Sequence, residues 1–128
     1  MISKKEAIEI HKTLVKEFGG STGIRDLNLL DLAINRSIQT FGGKELYANP
    51  TEKSASILES IVKNHPFIDG NKRTGYVLAR LYLMEENMDL NATEDEKYNF
   101  IISISEGKLN FDEILKWIES KSYFLDLS

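Results

Sequence analysis

Apolar residues recur at three- and four-residue spacing along most of the chain, and no stretch alternates apolar with polar over the length of a strand. Ser3 and Glu6 form a capping box ahead of Ile8, Leu14, Val15 and Phe18, and Gly19-Gly20 stops that helix. Asp26 caps a second helix carrying Leu27, Leu30, Ala33, Ile34 and Ile38. Asn49-Pro50-Thr51-Glu52 opens a third, with Ala55, Leu58, Ile61 and Val62 on one face. Val77, Leu78, Leu81 and Met84 or Met88 describe a fourth, expected to be the most buried. Thr93 with Glu96 precedes Phe100, Ile101 and Ile104, and Gly107 ends that fifth helix. Asn110 with Glu113 precedes Ile114, Leu115, Trp117 and Ile118 in the sixth. The pattern predicts an all-α fold of about six helices, with Trp117 and Phe111 in the core.

Two segments resist the helical pattern, 39–48 and 64–70, and irregular backbone between good helices is where function is usually carried. Phe41-Gly42-Gly43 and Tyr47 admit two readings: an ordinary loop packed by its aromatics, or a flap over an active site that docks a substrate protein as an added strand. The long, glycine-hinged stretch favours the flap.

A length of 128 residues fits one domain, 1–128, with one core. With 41% apolar and 28% charged residues the chain can afford that core, so disorder is excluded. Cysteine is absent, which removes disulfides, thiolate nucleophiles and Cys-based metal sites. Only His11 and His65 represent histidine, so a multi-histidine metal cluster is excluded too, whereas a carboxylate-held Mg²⁺ remains open. The net charge of −4 has the wrong sign for a surface that tracks nucleic acid, so no direct DNA binding is expected and a helix-turn-helix regulator is disfavoured. No apolar run approaches the roughly 18 residues of a membrane span, and no apolar signal stretch follows the first lysines. A cytoplasmic protein without membrane contact is expected.

The segment from Asn64 to Gly75 packs a base, a carboxylate, an amide and two cations into one loop and one helical turn. Pro66 biases His65 away from the helical region, which releases its ring from the preceding helix. A lone histidine is more often structural than catalytic, but the neighbours change that balance. Asp69 is a Mg²⁺ ligand or a turn former, and Gly70 permits a tight turn. Asn71 can cap the next helix, whose first N–H groups then meet an anion with Lys72 and Arg73 beside it. The sum is a phosphate cradle with a histidine at its mouth. A P-loop is excluded, because Asn71 separates Gly70 from Lys72 and a helix rather than a strand precedes them.

His65-Pro66-Phe67-Ile68-Asp69-Gly70-Asn71-Lys72-Arg73 resembles the H-P-F-x-D/E-G-N-x-R signature of the Fic/Doc family at every specified position. Phe18-Gly19-Gly20 with Gly23-Ile24-Arg25-Asp26, the 39–43 stretch and the overall length resemble its death-on-curing, or Doc, branch of small toxins. The resemblance implies a Fic fold in which the motif loop leads into a central helix. It implies ATP as substrate, His65 as the base that takes the proton of a protein hydroxyl, and Asp69 as the holder of Mg²⁺. The positions of Gly70, Asn71, Lys72 and Arg73 then bind the nucleotide, and Lys72 joins His65 as a catalytic residue. Most Fic enzymes transfer AMP and carry glycine at the Lys72 position. The Doc branch carries lysine and is known as a kinase that passes the γ-phosphate of ATP to elongation factor Tu and so stops translation. Tyr76 stands where AMP-transferring enzymes tend to place a second arginine. An AMP transferase or a non-catalytic binding module remain the alternatives.

Self-inhibited Fic proteins carry an S/T-x-x-x-E-G/N motif, but Ile102 stands four residues before Glu106-Gly107. Restraint is therefore expected from a cognate Phd-like antitoxin that folds on binding. Arg80 is expected to pair with a carboxylate rather than serve an anion, and His11 to be a surface or satisfied packing residue.

Overall fold

The computed structural model describes residues 1–126. Six helices dominate them: α1 (Lys4–Phe18), α2 (Leu27–Ser37), α3 (Pro50–Asn64), α4 (Asn71–Met84), α5 (Glu94–Ser105) and α6 (Phe111–Lys121). The fold is all-α, with two small antiparallel ladders added, β1 (Thr40–Phe41) with β2 (Lys44–Glu45), and β3 (Met88–Leu90) with β4 (Ser122–Phe124). Met88 therefore leaves the α4 stripe and lies in β3, because Asn87 turns the chain at φ 60 after the helix ends.

The caps behave as their chemistry requires. Ser3, Asp26, Thr93 and Asn110 each accept a hydrogen bond from the backbone N–H three residues on, and Glu6, Glu96 and Glu113 each accept one from the cap residue's own N–H. Gly19 ends α1 at φ 89, a conformation with little penalty only for glycine.

The core is built around α3, which packs against α2, α4, α5 and α6. Burial is thus shared between α3 and α4 rather than concentrated in α4. Periodicity hides this because Ser54, Ser56 and Ser60 are buried members of α3. Ser54 Oγ donates to the Ala79 carbonyl at 2.9 Å, and Ser60 Oγ accepts from Arg36 at 3.0 Å, so burial of these two hydroxyls is compensated, whereas Ser56 Oγ is buried without a hydrogen-bond partner among the described residues. Helices α3 and α4 run antiparallel, since Ser54 meets Ala79 while Val62 faces Gly75. A Cβ at Gly75 would lie 3.0 Å from Val62 Cγ2, so glycine permits the close approach. Trp117 stacks on Phe100 at 3.7 Å against the core, and Phe111 packs at its margin against Tyr47.

This antiparallel pair places the C-terminus of α3 and the N-terminus of α4 at one end of the molecule, joined by the loop 65–70. No helix among the described residues is long and apolar enough to cross a membrane.

Candidate active site

His65 closes α3 in the left-handed region, φ 50 and ψ 60, with its N–H still donating to Ile61 O at 3.2 Å. Its ring is exposed and makes no hydrogen bond among the described residues. Pro66 and Phe67 then dip into the core, and Phe67 is fully buried. Asp69 and the first turn of α4 return to the surface. His65, Asp69, Gly70, Asn71, Lys72 and Arg73 line one open cleft of about 890 Å³, closed on its other sides by Phe18 of α1, Tyr76 and Arg80 of α4, and Tyr98 of α5.

The N-cap of α4 is Gly70, at φ 75, and not Asn71 as the sequence suggested. The left-handed turn takes the residue without a side chain, and Asn71 becomes the first helical position. Its amide turns back into the loop: Oδ1 accepts from Phe67 N–H at 3.0 Å and Nδ2 donates to Phe67 O at 2.9 Å. Asn71 thus staples the loop with its side chain and has its backbone N–H to offer an anion. The N–H groups of Asn71, Lys72 and Arg73 have no intrahelical acceptor, because the first helical bond runs from Thr74 N–H to Gly70 O. With the dipole of the 14-residue α4 behind them, they form a positive mouth. Lys72 is exposed and has no ion-pair partner among the described residues. The Arg73 guanidinium lies 4.2 Å from the centre of the Phe18 ring, which orients it without neutralising it.

Asp69 is fixed on three sides. Ser21 N–H donates to Oδ2 at 3.3 Å, Gly70 N–H donates to Oδ1 at 2.8 Å, and His11 Nε2 donates to the Asp69 carbonyl at 2.7 Å. Each carboxylate oxygen retains lone-pair capacity. No group of three or more His, Asp or Glu side chains gathers among the described residues. This donor set fits a Mg²⁺ that arrives with phosphates better than one held in an all-protein cage.

The segment that borders the motif is 19–26, not 39–48. Arg25 and Asp26 N–H both donate to Pro66 O, Ile68 N–H donates to Gly23 O, and Ile24 pairs with Phe67. The 39–48 hairpin lies at the far end of α3, some 20 Å away by helix rise, and none of its residues lines the cleft. It borders a separate hollow with Met1, Tyr82, Glu85 and Glu86. The flap over the active site is thus overturned for 39–48, because α3 carries its two ends apart.

Sequence reasoning also undervalued His11 and Arg25. His11 is a satisfied packing residue, buried and stacked on Phe67 at 3.9 Å, but what it satisfies is the carbonyl of Asp69. Three glycines within five positions, 19–23, were the available signal for a close backbone approach. Arg80 pairs with Asp89 in a fork at 2.9 and 2.8 Å. That hydrogen bond holds the Asp89 carboxyl below its usual range and the guanidinium above its own. Burial pushes the Tyr76 phenol up, with Arg80 acting the other way. Arg80 is therefore committed to a carboxylate although it lines the cleft.

Residues 1–83 match the family model described as the Fic/DOC family. The chain is 38% identical over 78 residues to a protein named Toxin Doc from Mycolicibacterium smegmatis, covering 61% of this chain and 60% of that protein. It is 30% identical over 89 residues to Protein kinase doc of Escherichia phage P1, covering 70% of each. The chain thus matches less than two thirds of the length of the first of these relatives. The signature in the 65–73 turn, the helical frame that presents it and these matches lead to one conclusion: this chain belongs to the Fic/Doc family, on its Doc branch.

Proposed function

We propose that the chain is a cytoplasmic toxin of a toxin-antitoxin pair that transfers the γ-phosphate of ATP to a hydroxyl of a protein concerned with translation, elongation factor Tu by family resemblance. The observation that carries this reading is the convergence of an unpartnered His65 ring, Asp69, Lys72, Arg73 and three free N–H groups on one cleft. Bound phosphates would lie at the N-terminus of α4, against the Asn71, Lys72 and Arg73 N–H groups, with the Arg73 guanidinium and Lys72 ammonium as full charges beside them. Mg²⁺, held by Asp69, would supply charge neutralisation of the phosphate oxygens. The His65 ring takes the proton as the acceptor oxygen bonds to the γ-phosphorus, and the bond from that phosphorus to the β,γ-bridging oxygen breaks, releasing ADP. Lys72 fills the space that glycine would leave for a phosphate against bare backbone, which favours γ-phosphate over AMP transfer. The names of the two Doc relatives support the toxin and kinase readings. Restraint by a Phd-like antitoxin that folds on binding belongs to the same proposal.

Mass spectrometry of candidate target proteins incubated with the chain and ATP-Mg²⁺ tests it. A gain of about 80 Da is expected for phosphate, and a gain of about 329 Da would replace the kinase by an AMP transferase. No covalent gain on any translation factor, with toxicity retained, would leave the binding module as the better reading.

A further inference from the structure

A general base must be aimed, yet no hydrogen bond or ion pair among the described residues holds the His65 ring. What is held is its backbone. Arg25 Nε donates to the carbonyl of His65 and an Arg25 terminal nitrogen donates to the carbonyl of Asn64, both at 2.6 Å. The fork grips two consecutive peptide planes where α3 ends and where His65 adopts a left-handed conformation uncommon for a residue with a side chain. Fixing those planes fixes the direction in which the Cα–Cβ bond of His65 leaves the chain. The fork is itself fixed: Arg25 N–H bonds Pro66 O at 2.7 Å, Ile24 pairs with Phe67, and Ile68 N–H bonds Gly23 O at 3.1 Å. The planar guanidinium can satisfy two carbonyls at once in a way that an ammonium cannot.

We infer that Arg25 is the positioning residue of His65, acting through the backbone of Asn64 and His65 rather than on the substrate. The inference rests on the proposed reading of His65 as the base. Arg25 is exposed, so its removal should change the fold little. Its effect falls on geometry, where a misplacement of about 1 Å lowers a rate on the order of 100-fold.

Two measurements test this together. Arg25→Ala should lower kcat on the order of 100-fold while leaving KM for ATP-Mg²⁺ unchanged, and Arg25→Lys, able to hold one carbonyl, should recover part of it. Independently of activity, the two histidines provide two ring Cε1–H signals in the NMR spectrum of the ligand-free protein. Arg25→Ala should shift and broaden the His65 signal and leave that of buried His11 in place. An unmoved His65 signal overturns the inference, as does a rise in KM at constant kcat, or an Arg25→Lys variant no better than Arg25→Ala. If the His65 signal moves but neither Arg25→Ala nor His65→Ala alters transfer, the positioning stands and the base assignment falls.

Discussion

At the motif end of the α3–α4 pair, Ser21, Arg25, Asp26 and Ile68 use backbone N–H groups to join segments 40 or more residues apart in sequence. At the hairpin end, Leu46 N–H bonds Gln39 O, Thr40 pairs with Glu45, and Lys53 reaches Tyr47 O and Glu45. Both ends are glycine-rich and polar. One is pinned by long-range backbone pairing; the other closes its backbone on near neighbours and reaches farther through the Tyr47 ring against Phe111. Special residues in a loop therefore do not reveal whether it serves a site. What distinguishes the motif end is that the backbone of another part of the chain has been brought to hold its backbone.

The largest expected difference between the two ends is chemical. His65→Ala should reduce transfer roughly 100- to 10,000-fold, the range of a lost general base, with unfolding unchanged because the ring is exposed and unpartnered. Rates on target protein and a thermal melt check both halves. Retention of full transfer would remove the base and leave only the phosphate mouth.

Lys72→Gly comes next. It removes a charge whose loss should weaken γ-phosphate transfer by about 1.5 to 3 kcal/mol of charge stabilisation, and it opens the backbone for another phosphate orientation. Weak AMP transfer should appear, because Tyr76 does not supply a second guanidinium. Intact protein masses separate the two products. Full kinase activity without any AMP product would make the lysine incidental.

A paired glycine replacement sharpens the contrast. Gly20 and Gly43 both have positive φ, 110 and 81, so alanine strains each by about 1 to 2 kcal/mol. Only at Gly20 does the new Cβ meet anything, Asp69 Oδ2 at 2.8 Å, whereas Gly43 faces open space. Gly20→Ala should lose more stability than Gly43→Ala in denaturant titrations, because Asp69 must shift as well. Gly20→Ala alone should also raise the Mg²⁺ concentration needed for half-maximal transfer. Equal Mg²⁺ dependence in both would separate the 19–26 segment from the function of Asp69.

The helices were legible because each is announced locally, by a cap such as Ser3 with Glu6 and a stripe such as Ala55, Leu58, Ile61 and Val62. The motif was legible for the same reason, its residues being contiguous from His65 to Arg73. Hidden from sequence was whatever depends on pairing across the chain. Asn71 looks like a cap by composition, but Gly70 takes the left-handed position and frees the amide for Phe67. His11 looks like one histidine on a helix until its carbonyl partner 58 residues away is known. The short ladder of β3 and β4 has three pairs and too little alternation to register as strands.

The smallest expected effect concerns the hairpin itself. Phe41 is 85% exposed, at a turn whose glycines face open space. Its truncation to alanine removes no packing partner, so stability should stay within about 0.5 kcal/mol. If the hairpin only closes on its own neighbours, Phe41→Ala should also leave kcat and KM for the protein substrate unchanged. An exposed aromatic of this size is nevertheless a typical anchor for a partner. Its distance from the cleft is no obstacle to a protein target, which can span both ends of the pair. The deciding quantity is therefore KM for the target measured beside KM for ATP-Mg²⁺. A rise in the first alone would return a docking role to the hairpin while leaving the chemistry at the other end, and the two ends would differ in task rather than in importance.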